Sequence, residues 1–181
     1  MKLILRILFW LGIVVLVVAA IGFLLPSKVH VERSISIHAK QEVVYDFLSD
    51  LNNWNKWSPW YNLDTATKYI YEGPAKGMGA IMKWESKNKH VGSGSLKISE
   101  AIPNQMIKLD LDFIGEGTAI TSQKIETEVS GTRVTWSFDA DMGYNPLMRI
   151  MGKLFFDSAV GKDYEKGLQK MKTVIESLPP M

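Results

Sequence analysis

The chain contains no cysteine. This excludes disulfides, thiolate nucleophiles and Cys-based zinc sites, and it leaves the compartment open. An excess of either charge is also missing: 21 basic residues stand against 19 acidic ones, a formal net charge of +2. That balance makes no electrostatic case for a nucleic-acid partner. Histidine is scarce. His30, His38 and His90 are scattered, and none is spaced from another histidine or a carboxylate as metal ligands are. A phosphate-binding loop is missing too. Gly77 and Gly79 bracket a tight turn, but neither a helix start nor a Lys-Ser/Thr pair follows them. The expectation is a protein without metal or cofactor.

What the chain does have begins at its N-terminus. Lys2 and Arg6 precede nineteen uncharged residues, Ile7–Leu25, rich in Leu, Ile and Val. Roughly twenty apolar residues span a bilayer core. A cleaved signal peptide is the rival, with Val18 and Ala20 as a small-residue cleavage site. The apolar run, however, continues past that site through Ile21–Leu25, longer than a signal core of about 7–15 residues. The run has no polar face, which argues against a buried soluble helix. We therefore divide the chain into a transmembrane anchor, residues 1–27, and a folded domain, residues 28–181, of a size that buries a real core. Lys2, Arg6 and the amino terminus precede the span, whereas Lys28 and Arg33, partly offset by Glu32, follow it. The positive-inside rule then places the protein as a single-pass membrane protein with its domain on the non-cytoplasmic side.

Pro26-Ser27 breaks the span. Val29–Ile37 alternates as a half-buried strand, with Arg33 the one charge on its apolar side. Ala39–Asp50 changes to helical period, its stripe being Val43, Val44, Phe47, Leu48 and Leu51. Trp54, Trp57 and Trp60 follow at three-residue spacing, on one side of a short helical turn. They read as a plug at one end of the core or as an aromatic wall at a cavity mouth. From Lys68 onward short strands alternate with turns at Gly73-Pro74, Gly77–Gly79, Gly92-Ser93-Gly94, Pro103-Asn104 and Gly131-Thr132. Ile107, Leu109, Leu111 and Phe113 alternate with Lys108, Asp110 and Asp112; Val134, Trp136, Phe138 and Ala140 alternate with Thr135, Ser137 and Asp139. This is the pattern of an antiparallel sheet with one apolar and one charged face.

The covering element is the C-terminal stretch Asn145–Glu176. Asn145 is placed as an N-cap, Pro146 as the first helical residue, and Pro179-Pro180 as the stop. Such a helix is roughly 45 Å long. Leu147, Ile150, Met151, Leu154, Leu168, Met171 and Ile175 form its expected apolar face, with Ser158 and Gly161 as a small-residue waist. A helix with such a waist, laid across a curved sheet, is expected to leave a hollow.

Taken together, the order of elements resembles the helix-grip fold of the SRPBCC superfamily (START-like domains), in its polyketide cyclase/dehydrase-type branch. The resemblance rests on Val31-Glu32-Arg33-Ser34-Ile35 with Ala39; Trp54, Trp57-Ser58-Pro59-Trp60; Gly73-Pro74 with Gly77 and Gly79; Gly131-Thr132, Val134 and Trp136; and Gly161, Tyr164-Glu165, Gly167-Leu168 and Met171-Lys172. It covers roughly Lys28 to Glu176. It implies an α+β fold in which a curved antiparallel sheet of about seven strands wraps around the C-terminal helix, with a deep apolar cavity between them. The transmembrane helix is an addition to that pattern. Members bind lipids, hormones or polyketides, some catalyse, and some act as co-chaperones, so the resemblance does not choose the function.

The candidate ligand-lining residues are Trp60, Trp84, Leu109, Leu111, Phe113, Trp136, Phe138, Met151, Leu154, Ser158 and Tyr164. Most cannot ionise, as suits an apolar pocket with few polar groups. Arg33, Gln123, Asp157 and Tyr164 are the polar groups most able to reach the interior, and an unpaired carboxylate there would be costly. Asp157 is therefore expected to be exposed or paired with Arg33 or Lys153. Asp110, Asp112, Asp139 and Asp141 fall on the solvent face of the sheet. No catalytic residue is identified. The leading expectation is a membrane-anchored protein binding a hydrophobic or amphipathic, lipid-like small molecule. The alternatives are a cyclase-type enzyme on a hydrophobic substrate, which needs a titratable group in the cavity, and a protein-interaction module, which needs a filled core and an exposed apolar patch.

Overall fold

The computed structural model describes residues 2–115 and 117–179. A 23-residue helix, α1 (Lys2–Leu24), stands at the N-terminus and is long and apolar enough to cross a membrane. A signal sequence satisfies the same criterion. The rest is α+β. Strand β1 (Lys28–Ile37) is followed by α2 (Gln41–Ser49), a 3-10 turn and the short α3 (Trp54–Trp57). Six further strands follow: β2 (Lys68–Glu72), β3 (Ile81–Glu85), β4 (Ser93–Ile102), β5 (Met106–Phe113), β6 (Gly117–Glu128) and β7 (Gly131–Asp141). They form one antiparallel sheet of seven strands in the order β1-β7-β6-β5-β4-β3-β2. This is the helix-grip arrangement.

The alternation of β5 and β7 explains the sheet's two faces. Ile107, Leu109, Val134, Trp136 and Phe138 are buried, whereas Asp110, Asp112, Asp139 and Asp141 are exposed. In β6 the inward positions are Ala119, Thr121, Gln123 and Ile125. Val129, at the turn, is fully exposed.

The covering helix runs from Pro146 to Glu176, 31 residues in all. It comprises α4 (Pro146–Met151), one π-helical turn (Gly152–Phe156) and α5 (Asp157–Glu176). Asn145 caps it as expected: its Oδ1 accepts from the Leu147 N–H at 3.0 Å and, more weakly, from the Met148 N–H at 3.4 Å. Pro180 lies outside the described residues.

The π turn corrects the expected apolar face. A π turn inserts one residue into the helix, and one residue rotates everything before it by about 100° relative to an unbroken helix. Leu168, Met171 and Ile175 are buried against the sheet as expected. Up to and through the π turn the sheet-facing positions become Gly152 and Phe156, while Leu147, Met151 and Leu154 turn outward; Ser158, just after it in α5, is exposed as well.

Candidate ligand-binding site

The middle of the space between sheet and helix is filled. Trp54 and Trp57 pack edge-on at 4.6 Å, and Trp57 meets Trp136 at 4.8 Å. Trp136 in turn stacks on Tyr164 of α5, with ring centroids 3.6 Å apart. Two side chains and one backbone carbonyl meet at one hydroxyl here. Thr121 Oγ1 donates to the Ser137 carbonyl at 2.7 Å and accepts from Trp136 Nε1 at 2.7 Å. The remaining contact, 3.1 Å from the Tyr164 hydroxyl, is then donated by Tyr164. Burial pushes the Tyr164 phenol well above its ordinary value. It is therefore a neutral donor with a satisfied hydroxyl. Of the buried polar groups here, Gln123 Oε1 is without a hydrogen-bond partner.

The small-residue waist leaves no hollow. A Cβ on Gly161 would strike the Arg33 guanidinium, and one on Gly167 would crowd the Trp136 ring and Pro59. Both glycines bring α5 close to its neighbours. Arg33, the charge on the apolar side of β1, passes under Gly161 to the exposed flank of α5. There its guanidinium donates to Asp157 at 3.0 and 3.2 Å and to Glu165 at 2.8 Å. The guanidinium holds the Asp157 carboxyl below the usual carboxylate range. Arg33 and Asp157 thus form a surface-facing pair, and Lys153 is not the partner. Tyr164 does not converge with them on a solvent-excluded pocket.

The open apolar surface lies at one end of the sheet. Register places Tyr69, Trp84, Gly94 and Phe113 in one row across β2 to β5. Leu96, Leu111, Ala119, Ala140 and Val29 fall in the next. Trp84 lies across β4 because Gly94 has no side chain: a Cβ there would meet the indole. The indole reaches Phe113 edge-on at 6.0 Å, and its Nε1 donates to the Val91 carbonyl at 3.3 Å. Opposite, Phe156 of the π turn faces Phe138 at 5.4 Å. Trp60, Tyr69, Trp84, Leu111, Phe113 and Phe156 are each half-buried. They are an apolar surface that the helix does not fully cover.

The expected lining residues thus separate into three groups. Trp84, Leu111 and Phe113 surround the open end, with Phe138 just beneath, and half-buried Trp60 borders the centre, 6.0 Å from Trp136 and 6.4 Å from Tyr164. Leu109, Trp136 and Tyr164 are packed into the closed centre. Met151, Leu154 and Ser158 point away from the sheet, and the Ser158 hydroxyl donates to the Phe155 carbonyl at 2.9 Å. Two members of the open end were not anticipated. Phe156 was hidden by the π turn. Tyr69 carried a signal, since its strand pairs with the one bearing Trp84.

Two clefts open at the surface of the domain. One, of about 580 Å³, opens at the far end of the sheet among His38, Gln41, Glu42, Thr127 and Ser130. The other, of about 150 Å³, lies between β1 and the π turn, beside Val29, Val31, Gly152 and Phe156. Among the described residues, no group of three or more His, Asp or Glu side chains is arranged to hold a metal ion.

Residues 28–176 match the family described as polyketide cyclase / dehydrase and lipid transport. The chain belongs to that family. No curated protein matches its sequence. Solved structures carry the same fold at low identity. Protein SA2116 of unknown function from Staphylococcus aureus superposes with a TM-score of 0.62 at 16% identity, covering 83% of this chain and 94% of that one. The Aha1 dimer from Colwellia psychrerythraea gives 0.58 at 19% identity, over 82% and 97% of the two chains. StfQ, the di-domain ARO/CYC of the steffimycin biosynthetic pathway, gives 0.63 at 10% identity over 82% of this chain and 51% of that one. These likenesses are to the polyketide cyclase fold and carry no residue-level chemistry.

Proposed function

We propose that this protein is a membrane-anchored binding domain that holds a hydrophobic or amphipathic, lipid-like small molecule against the open end of its sheet. The observation that carries the reading is the half-buried aromatic surface of Trp84, Phe113 and Phe156 with Leu111, in a family that includes lipid transport. Apolar walls with few polar groups suit such a ligand. The packed centre confines the ligand to that end, so Trp84, Leu111, Phe113, Phe138 and Phe156 are its contacts. Trp136, Leu109 and Tyr164 support the floor beneath. Helix α1 is the anchor, residues 28–181 are the binding domain, and the domain lies on the non-cytoplasmic side.

Native mass spectrometry of residues 28–181, purified without detergent and then offered mixed lipids, tests the binding reading. An adduct of lipid-like mass, reduced in Trp84→Ala, is the expected result. A bare mass that stays bare on lipid addition overturns it. Protease accessibility on intact cells tests the topology, and a domain digested only after lysis refutes it.

A further inference from the structure

The outward turn of α4 leaves a large apolar surface without a partner. Leu147, Met148, Met151, Leu154 and Phe155 are all exposed, at 46–63% of their surface, and Tyr144 just before them at 89%. Their spacing, at i, i+1, i+4, i+7 and i+8, is that of one apolar helix face. The adjoining positions carry Arg149 and Lys153.

This surface joins the apolar N-terminal helix. Gly22 of α1 is buried against Pro146, so tightly that a Cβ would collide with the proline backbone. The Arg149 guanidinium donates to the Phe23 carbonyl at 3.4 Å and the Leu25 carbonyl at 3.3 Å, which lie at the end of α1. Arg149 Nε holds the Gly143 carbonyl at 2.8 Å. Gly22 precedes the end of the apolar run by three residues, an axial distance of about 5 Å. Interfacial helices bury their apolar face about 5–10 Å into the headgroup and acyl boundary. If α1 spans a bilayer, α4 therefore starts at that depth.

The rest of this end agrees. By strand register, the β5–β6 turn and the β3–β4 loop lie at the same end of the sheet as the start of β1. The first carries Ile114, exposed at 72%, and the second carries exposed Lys87 and Lys89. Two carboxylates nearby are engaged: Asp141 accepts from the Gly143 N–H, and Asp157 is held by Arg33.

We infer that α4 and the π turn lie in the headgroup layer of a phospholipid bilayer, with Met151, Leu154 and Phe155 in the acyl boundary and Arg149 and Lys153 beside lipid phosphates. The mouth formed by Phe156, Phe113 and Trp84 then opens at the membrane surface. The inference rests on the reading of α1 as an anchor and goes beyond it, because a tether alone leaves the domain free of the bilayer.

The cysteine-free chain permits a direct test. Full-length protein bearing a single environment-sensitive label at Val14→Cys, Met151→Cys, Leu154→Cys or Val129→Cys is reconstituted into vesicles of phosphatidylcholine and phosphatidylglycerol, with or without brominated acyl chains. Near-ultraviolet circular dichroism of the tryptophan cluster confirms folding. Loss of most of the emission at positions 151 and 154 with brominated lipid, and none at the distal position 129, is expected. Labels at 151 and 154 that stay in water overturn the inference. So do labels that are shielded yet unquenched, which would assign the face to a protein contact. Position 14 reports separately on the anchor: a quenched label there with unquenched labels at 151 and 154 removes the docking surface and leaves the anchor standing.

Discussion

Tyr164 lies flat on Trp136, with ring planes 7° from parallel, and both side chains donate to the same oxygen, Thr121 Oγ1. The stack and the shared hydroxyl tie α5 to β6 and β7 at the centre of the domain. They close the space where a continuous cavity was expected. The arrangement ranks two substitutions. Tyr164→Phe keeps the stack and removes one donor, leaving Thr121 Oγ1 still bonded to Trp136; it should cost about 1 kcal/mol. Thr121→Val leaves two buried donors unpaired and should cost about 2–4 kcal/mol. Urea unfolding of both variants measures the difference, and a Tyr164→Phe variant less stable than Thr121→Val contradicts the network.

The approach of α5 to β1 over Gly161 makes a second prediction. Gly161→Ala must displace the Arg33 guanidinium and so disturb its bonds to Asp157 and Glu165. Overpacking of this kind costs about 1–3 kcal/mol. Asp157→Asn removes only an exposed partner and should cost less than about 1 kcal/mol. In the double variant Gly161→Ala/Arg33→Met much of the alanine cost should be relieved, because a thioether can bend away where a held guanidinium cannot. Additive costs in a double-mutant cycle would show that Gly161 and Arg33 do not interact.

Which parts of this protein were legible in its sequence follows from where the physics is local. Alternation at Ile107–Phe113 and Val134–Ala140 disclosed strands and faces because each residue's burial is set by its own position in the pleat. Asn145-Pro146 disclosed the start of the helix because a cap is made by adjacent residues. The π turn was not legible. Nothing in Gly152–Phe156 announces an inserted residue, so the sequence pattern puts Met151 and Leu154 on the sheet side and gives no sign of Phe156. The meaning of Gly161 and Gly167 was also hidden. Small residues mark either a hollow or a close approach, and only the partner residues, Arg33 and Trp136, decide which. The partner of Asp157 was narrowed to two candidates by charge, and geometry chose Arg33.

A pH dependence is expected at the β1–β7 pairing. His30 Nδ1 lies 2.7 Å from Asp139 Oδ1, and Glu32 lies on its other side at 3.4 Å. The hydrogen bond to Asp139 raises the His30 pKa above its ordinary value near 6.5. A group whose pKa is raised on folding contributes stability that is complete below the unfolded value and is lost as pH rises through the folded one. The pair is half-exposed, so the effect is small. The midpoint of thermal unfolding should fall between about pH 6 and pH 8 more in the parent protein than in Asp139→Asn. A difference of the opposite sign would show that His30 is not held charged by Asp139.

The open end of the sheet makes the most direct functional prediction. Trp84 and Phe113 are only half-buried, so truncating them should spare the fold while removing ligand contact. Losing about 60 Å² of apolar contact corresponds to about 1.5 kcal/mol, or roughly tenfold in affinity. Trp84→Ala and Phe113→Ala should each weaken retention of a fluorescent fatty acyl probe by about that factor. Leu111→Asp should abolish retention, since it places an unpaired carboxylate against the ligand. Trp136→Phe acts as the contrasting case: it lies in the closed centre, and it should lower stability with little change in probe affinity. Weakened binding in Trp136→Phe together with unchanged binding in Trp84→Ala and Phe113→Ala would move the ligand from the open end into the middle of the domain, where the Tyr164 stack would have to part to admit it.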